Sequence, residues 1–141
     1  METIQSNTKQ GLFHVNAGEN LTGKEGYLVK AADAGSKLEV LLPTDVADIT
    51  PYVVEEGAAH DSDCVVRPLV QGEQLRFVAK GTGSAGDRLT HAAPGTAADK
   101  GKVRTLPGGA DVYFMVGIAE EDFVDGQYVK VRVHCREIVV S

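Results

Sequence analysis

The chain has 141 residues, 43% of them hydrophobic and 24% charged, a length and balance that suit one globular domain with its own core and exclude disorder throughout. Fourteen lysines and arginines against twenty aspartates and glutamates leave a formal charge of -6, which opposes a phosphate backbone, so no nucleic-acid partner is expected. The two cysteines, Cys64 and Cys135, form no Cys-x-x-Cys pair and indicate neither a disulfide framework nor a zinc knuckle; both are expected to be reduced thiols on strands.

Residues 1–18 are polar and are expected to form a flexible N-terminal arm ahead of a single β domain over residues 19–141. The arm carries one apolar clump at Leu12, Phe13, His14 and Val15. A segment of this kind either frays or adds as an extended strand to an open sheet edge of a neighbouring protein. It lacks the basic start and apolar run of a signal peptide, which predicts synthesis in the cytoplasm. The longest apolar run, VYFMVGIA at 112–119, falls far short of the roughly 20 residues of a membrane helix, so no membrane partner is expected.

Beyond the arm, glycines and other turn residues bound short runs rich in Val, Leu, Ile, Tyr and Phe. In chain order these are GYLVKA, KLEVLL, ITPYVVEE, CVVRPLV, QLRFVAK, DRLTH, KVRTL, VYFMVGIAE, QYVKVRVHC and EIVV. Each is the length of a strand. The clearest alternation places Val129, Val131, Val133 and Cys135 on a core face, with Lys130, Arg132, His134 and Arg136 on an exposed one. Helix is expected to be minor, with room for single turns at 45–49 and 94–101. The fold class that follows is all-β, a compact β-barrel or sandwich with little helix.

The chain also repeats itself. LTGKEGYLVKA, KLEVLLP and PYVVEEGAAHDSDCVVRPL are followed in the same order by GTGSAGDRLTHA, KVRTLPG and MVGIAEEDFVDGQYVKVRV. Val54, Glu55 and Glu56 correspond to Ala119, Glu120 and Glu121. A loop aspartate follows in each copy, Asp61 or Asp125, and then a Val-rich strand holding Arg67 or Arg132. The pattern predicts an internal pseudo-repeat over about residues 21–70 and 81–134, because a unit this long present twice is not a solenoid. Pro68 interrupts the strand that should match YVKVRV, which predicts an edge or a bulge there and unequal halves.

Several groups resemble reactive sites. KGTGSAGD places Gly81, Gly83 and Gly86 in a G-x-G-x-x-G pattern after a strand, but a dinucleotide turn needs a helix next, and Pro94 and Gly95 stop one. The repeat instead pairs Gly86 with Gly26, each opening a strand. His60, Asp61, Ser62, Asp63 and Cys64 are too close in sequence to assemble a triad and are expected to be a solvated loop. His14, His91 and His134 are scattered and are expected to be exposed or hydrogen-bonded at the surface. Glu55, Glu56, Glu120 and Glu121 read as charged strand ends. No catalytic residue, no metal site and no cofactor are expected, so the chain is not expected to be an enzyme.

The segments GENLTGKEGYLVKAAD, PYVVEEGAAHDSD to VVRPLV, and FMVGIAEEDFVDGQYVKVRV resemble the decoration, or cement, proteins that coat the heads of tailed bacteriophages, over most of residues 17–140. The resemblance implies a compact β fold, no catalysis, the major capsid protein as partner and a homo-oligomer with a trimer favoured. It also implies a place on the capsid exterior of the virion after assembly in the host cytoplasm, with Leu12, Phe13, His14 and Val15 as the capsid-binding residues. A receptor- or glycan-binding β module of a phage or bacterial surface structure is the alternative. A small β-barrel hydrolase centred on residues 60–64 is a third reading.

Overall fold

The structure, a computed structural model, describes residues 11–92 and 95–141. Its strands are β1 (Phe13–Ala17), β2 (Leu28–Asp33), β3 (Leu38–Leu41), β4 (Tyr52–Glu56), β5 (Asp63–Pro68), β6 (Gln74–Val78), β7 (Arg88–His91), β8 (Val103–Thr105), β9 (Asp111–Ala119) and β10 (Tyr128–Val140). No helix occurs among the described residues. The two stretches with room for a helical turn close as tight turns, from Asp48 N–H to Asp45 O at 3.1 Å and from Asp99 N–H to Thr96 O at 3.0 Å. The all-β class expected from the glycine-punctuated short runs is the observed one.

Strands β1 to β5 form a closed barrel in the order β1-β3-β2-β4-β5, and β6 to β10 form a five-stranded sheet in the order β6-β10-β9-β7-β8. Advancing each strand number of the barrel by five gives the ring β6-β8-β7-β9-β10, which is the order of the sheet read in the opposite sense and opened between β6 and β8. The registers agree as well. Val15 pairs with Cys64 in the first copy and Phe77 with Val129 in the second. Leu28 pairs with Val53, and Arg88 with Ile118. Ala31 pairs with Val40, and His91 with Val103. The parallel contact of Ala17 with Val40 returns as a single bridge between Ala79 and Val103. Turns follow the same rule. Gly26 donates to Val54 O and Gly86 to Ala119 O, both at 2.8 Å, and Val54 and Ala119 donate back to Tyr27 O and Asp87 O at 2.9 Å.

The repeat is longer at its start than the sequence suggested. Phe13–Ala17, expected within the arm, form β1, which pairs with β3 on one side and β5 on the other and so closes the barrel. Its counterpart is β6. Within β1, Phe13, Val15 and Ala17 are covered while His14 is exposed, a period of two too short to stand out against polar neighbours. Residues 1–10 of the arm lie outside the described residues. One loop match also shifts. Asp61 N–H bonds to Ala17 O and Gly126 N–H to Ala79 O, both in left-handed conformations at φ 64° and 81°, so the partner of Asp61 is Gly126 and not Asp125. The runs QYVKVRVHC and EIVV are one strand, β10, with a register shift between Val133 and Arg136.

The two copies differ in how they close. The barrel encloses a core made only from its own residues, Val15, Ala17, Leu21, Val29, Val40, Leu42, Val54, Cys64 and Val66. The core of the second copy, built around Phe77, Leu89, Val116, Val129 and Val131, takes in Leu28 and Val53 from the first. Residues 26–28 run into the gap between β6 and β8. Val78 N–H donates to Gly26 O at 3.1 Å, and Leu28 N–H donates to Gly101 O at 2.7 Å. The positions equivalent to Leu28 and Val53 are Arg88 and Ile118, and both are exposed. The hairpins differ too. β5 ends at Pro68, which has no N–H to extend a ladder, whereas β10 runs on from the matching Val133 to Val140 along β9.

Candidate functional site

The glycine pattern at 81–86 spends its backbone donors inside the protein. Gly81 N–H donates to the Asp125 carboxylate at 2.8 Å, and Gly83 exchanges two backbone hydrogen bonds with Phe123 at 3.0 and 3.1 Å. Gly86 N–H is held by Ala119 O. A phosphate cradle would need these N–H groups free, and a carboxylate already sits where the first would meet an anion. That bond, with the Lys80 ammonium nearby, holds the Asp125 carboxyl below its ordinary pKa.

The His60 to Cys64 cluster is a solvated loop only over residues 60–62, because Asp63 and Cys64 open β5. His60 and Asp61 are exposed and lie 3.6 Å apart, while Cys64 turns inward, its thiol donating to Val15 O at 3.4 Å. Among the described residues, no three His, Cys, Asp or Glu side chains converge. Cys64 and Cys135 are both free thiols on strands, and burial raises both, Cys135 to about 11. At neutral pH neither is a thiolate, which leaves them poor nucleophiles.

The glutamates at the strand ends have a specific use. Glu55 accepts from Arg67 Nε at 2.9 Å, and Glu120 accepts from Arg132 Nε at 3.2 Å, the same cross-strand pair in each copy. Gln74 and Arg132 together hold the Glu120 carboxyl below its usual value. Glu121 accepts from Lys130 N–H at 3.1 Å and so caps the ladder beside the turn.

Of the histidines, His14 and His134 are exposed as expected, but His91 is fully buried. It sits on β7 beneath the loop between β3 and β4, its Nε2 3.1 Å from Asp48 O. A carbonyl only accepts, so Nε2 carries the proton, and Nδ1 has no partner among the described residues. Burial depresses the pKa of the imidazole and keeps it neutral. The loop is fixed from its other side by Asp48. Burial works to raise that carboxyl, but the N–H groups of Thr44 and Asp45 and the Lys30 ammonium outweigh it and hold it low.

The clump at 12–15 is split by β1. Val15 is in the barrel core, and Phe13 packs edge-on against Tyr52 with ring centroids 5.3 Å apart. Val15 is thus enclosed by the barrel, while Phe13 is half-buried. Leu12, 54% exposed, and His14 remain on the surface.

A concave site also lies on the seam between the copies. It has a volume of about 300 Å³ and is lined by Glu25, Gly26, Val53, Val54, Glu55, Arg76 and Tyr128. Tyr128 is half-exposed, and its hydroxyl donates to Glu25 O at 3.2 Å. Glu25 accepts from Gly57 N–H at 2.8 Å, and Glu55 is held by Arg67. Arg76 makes no ion pair among the described residues and faces Lys130 directly across the β6–β10 ladder. Arg76 and Tyr128 were not marked by sequence reasoning. The available signal was the repeat itself, because Tyr128 stands where the first copy has Asp63, an aromatic in place of a loop carboxylate.

No protein-family model matches the chain, and no curated protein matches it. A solved structure does: the head fiber gp8.5 N base of bacteriophage phi29 superposes with a TM-score of 0.70 at 17% identity, covering 89% of this chain and 95% of that one. The protein described here shares its fold.

Proposed function

We propose that the chain is a structural protein of a phage head, a decoration protein that binds the major capsid protein on the outer face of the shell and stabilises it. The observation that carries this reading is the fold shared with a phage head-fiber base over nearly the full length of both chains. The sequence pattern of the decoration proteins supports it independently. The surface is acidic overall, the thiols are un-ionised, and the glycine turn is occupied by a carboxylate, all in keeping with a binding role without chemistry.

A protein that binds the mature lattice and not its precursor adds its binding free energy to the stability of the mature form, about 2.7 kcal/mol per site at a hundredfold excess over Kd. A homotrimer would engage several capsid subunits at once and gain avidity without new contacts. The exposed Leu12 and His14, at the mouth of β1, are the part of the expected docking clump most open to a capsid subunit.

The test uses heads purified without this protein, in precursor and expanded forms. Saturable binding to expanded heads alone, with a higher temperature of DNA release, is the expected result. Light scattering of the free protein should give three chains per particle, and Leu12→Asp should weaken head binding while leaving thermal unfolding unchanged. Heads that neither bind the protein nor gain stability from it would overturn the proposal.

A further inference from the structure

We propose that the seam cleft is a binding site for a short, uncharged saccharide. The inference stands apart from capsid binding, because it rests on the chemistry of the cleft alone.

Three features carry it. The first is the platform. Tyr128 is 53% exposed as a residue, and its ring is oriented by the hydroxyl's bond to Glu25 O, so little freedom is lost when a flat C–H face of a sugar settles on it. The second is the set of polar groups. Glu25 and Glu55 each commit one carboxylate oxygen, to Gly57 N–H and Arg67 Nε, which fixes the side chain and leaves the other oxygen to accept from sugar hydroxyls. Arg76 is the matching donor. It has no ion-pair partner among the described residues, and its cross-strand neighbour Lys130 carries the same charge, an unfavourable placement unless the guanidinium has something else to bind. The third is size. About 300 Å³ is at the lower end of ligand pockets, enough for one or two pyranose rings.

Other occupants fit less well. An anionic ligand would face two carboxylates. A strand added along β6 meets Gly26, whose carbonyl already takes the N–H of Val78. The cleft arises only where the copies meet. Its counterpart would need an aromatic at position 63, where the first copy has Asp63.

The test is a backbone amide NMR titration of the full chain with lactose, cellobiose, maltose and diacetylchitobiose at up to about 10 mM. At least one should shift the amides of Gly26, Val54, Glu55, Arg76 and Tyr128 together and saturably. Tyr128→Ala and Arg76→Ala should each weaken that binding about tenfold or more. Tyr128→Phe, which keeps the ring, should retain most of it, and the three variants should unfold at similar temperatures. Two results would overturn the proposal: no sugar perturbing the cleft, or a sugar response unchanged in Tyr128→Ala. Loss of head binding in these variants with no sugar response would reassign the cleft to a protein partner.

Discussion

The barrel of β1 to β5 and the sheet of β6 to β10 share strand order, register and even a cross-strand Glu–Arg pair, yet one closes on itself and the other is completed by its neighbour. A few positions account for the difference. The first copy has Leu28 and Val53 pointing outward where the second has Arg88 and Ile118. Burying two apolar side chains against the second core is favourable, whereas burying Arg88 in the same way would strand a charge. Duplication therefore supplied two similar folds, and substitution at the outward positions decided which docks on which.

Exchanging those residues tests this account most severely. Leu28→Arg should destabilise by at least about 3 kcal/mol, since it places an unpaired charge in the second core. The reciprocal Arg88→Leu, at an exposed site, should stay within about 0.5 kcal/mol of the native protein. Urea unfolding of the two variants would measure both, and equal costs would show that the copies dock through some other face.

Glycine substitution comes next. Gly26 and Gly86 hold equivalent turns at φ 83° and 93°. A side chain at Gly86 meets nothing within 4 Å, whereas a Cβ at Gly26 comes 2.5 Å from the Tyr128 ring. Gly86→Ala should cost about 1–2 kcal/mol for the left-handed backbone alone. Gly26→Ala should cost more, by whatever displacing the ring requires, and thermal unfolding would rank the two.

Acid should act on the seam before it acts on the surface. The folded pKa of His91 lies below its ordinary 6.5, so between those values the unfolded chain binds a proton that the folded chain refuses. Its contribution is present above about pH 6.5 and is lost as pH falls below it. Asp48, Glu120 and Asp125, also depressed, contribute above the ordinary carboxylate range and lose that contribution at lower pH still. Melting temperature against pH should fall in two stages, and His91→Gln should flatten the first. A native curve flat from pH 7 to about 5.5 would contradict the neutral buried imidazole.

The smallest effect belongs to the shared ion pairs. A double-mutant cycle on Glu55 with Arg67 should give about 0.2–1 kcal/mol, and one on Glu120 with Arg132 a favourable coupling of similar rank, both falling with added salt. A much larger value in one copy would mean that the symmetry of the pairs conceals unequal roles.

Much of this was legible in the sequence, because alternation and turn residues act locally. Val129, Val131 and Val133 alternate with charged residues, and they face the core. The match of Val54 to Ala119 and of Arg67 to Arg132 followed from order and spacing, whereas Pro68, expected to mark an edge or a bulge, is the last residue of a strand paired on both sides. The misses came from interactions that only folding creates. β1 is five residues long and takes its stability from two distant partners, so no local pattern marked it off from the polar arm. His91 looked like any isolated histidine, and it is buried because a loop more than forty residues earlier covers it. The seam cleft draws on residues from 25 to 128, a separation that spacing within a motif cannot register.

The borrowed Leu28 and Val53 give the molecule a direction in time. A chain emerging from the ribosome N-terminus first can complete the barrel, whose core is wholly its own, before the strands of the second copy have been made. The second copy then condenses against a finished surface that already presents the residues it lacks. Synthesised in the opposite order, the same two halves would leave the incomplete one waiting, its core exposed. The asymmetry of the seam matches the order in which the gene is read.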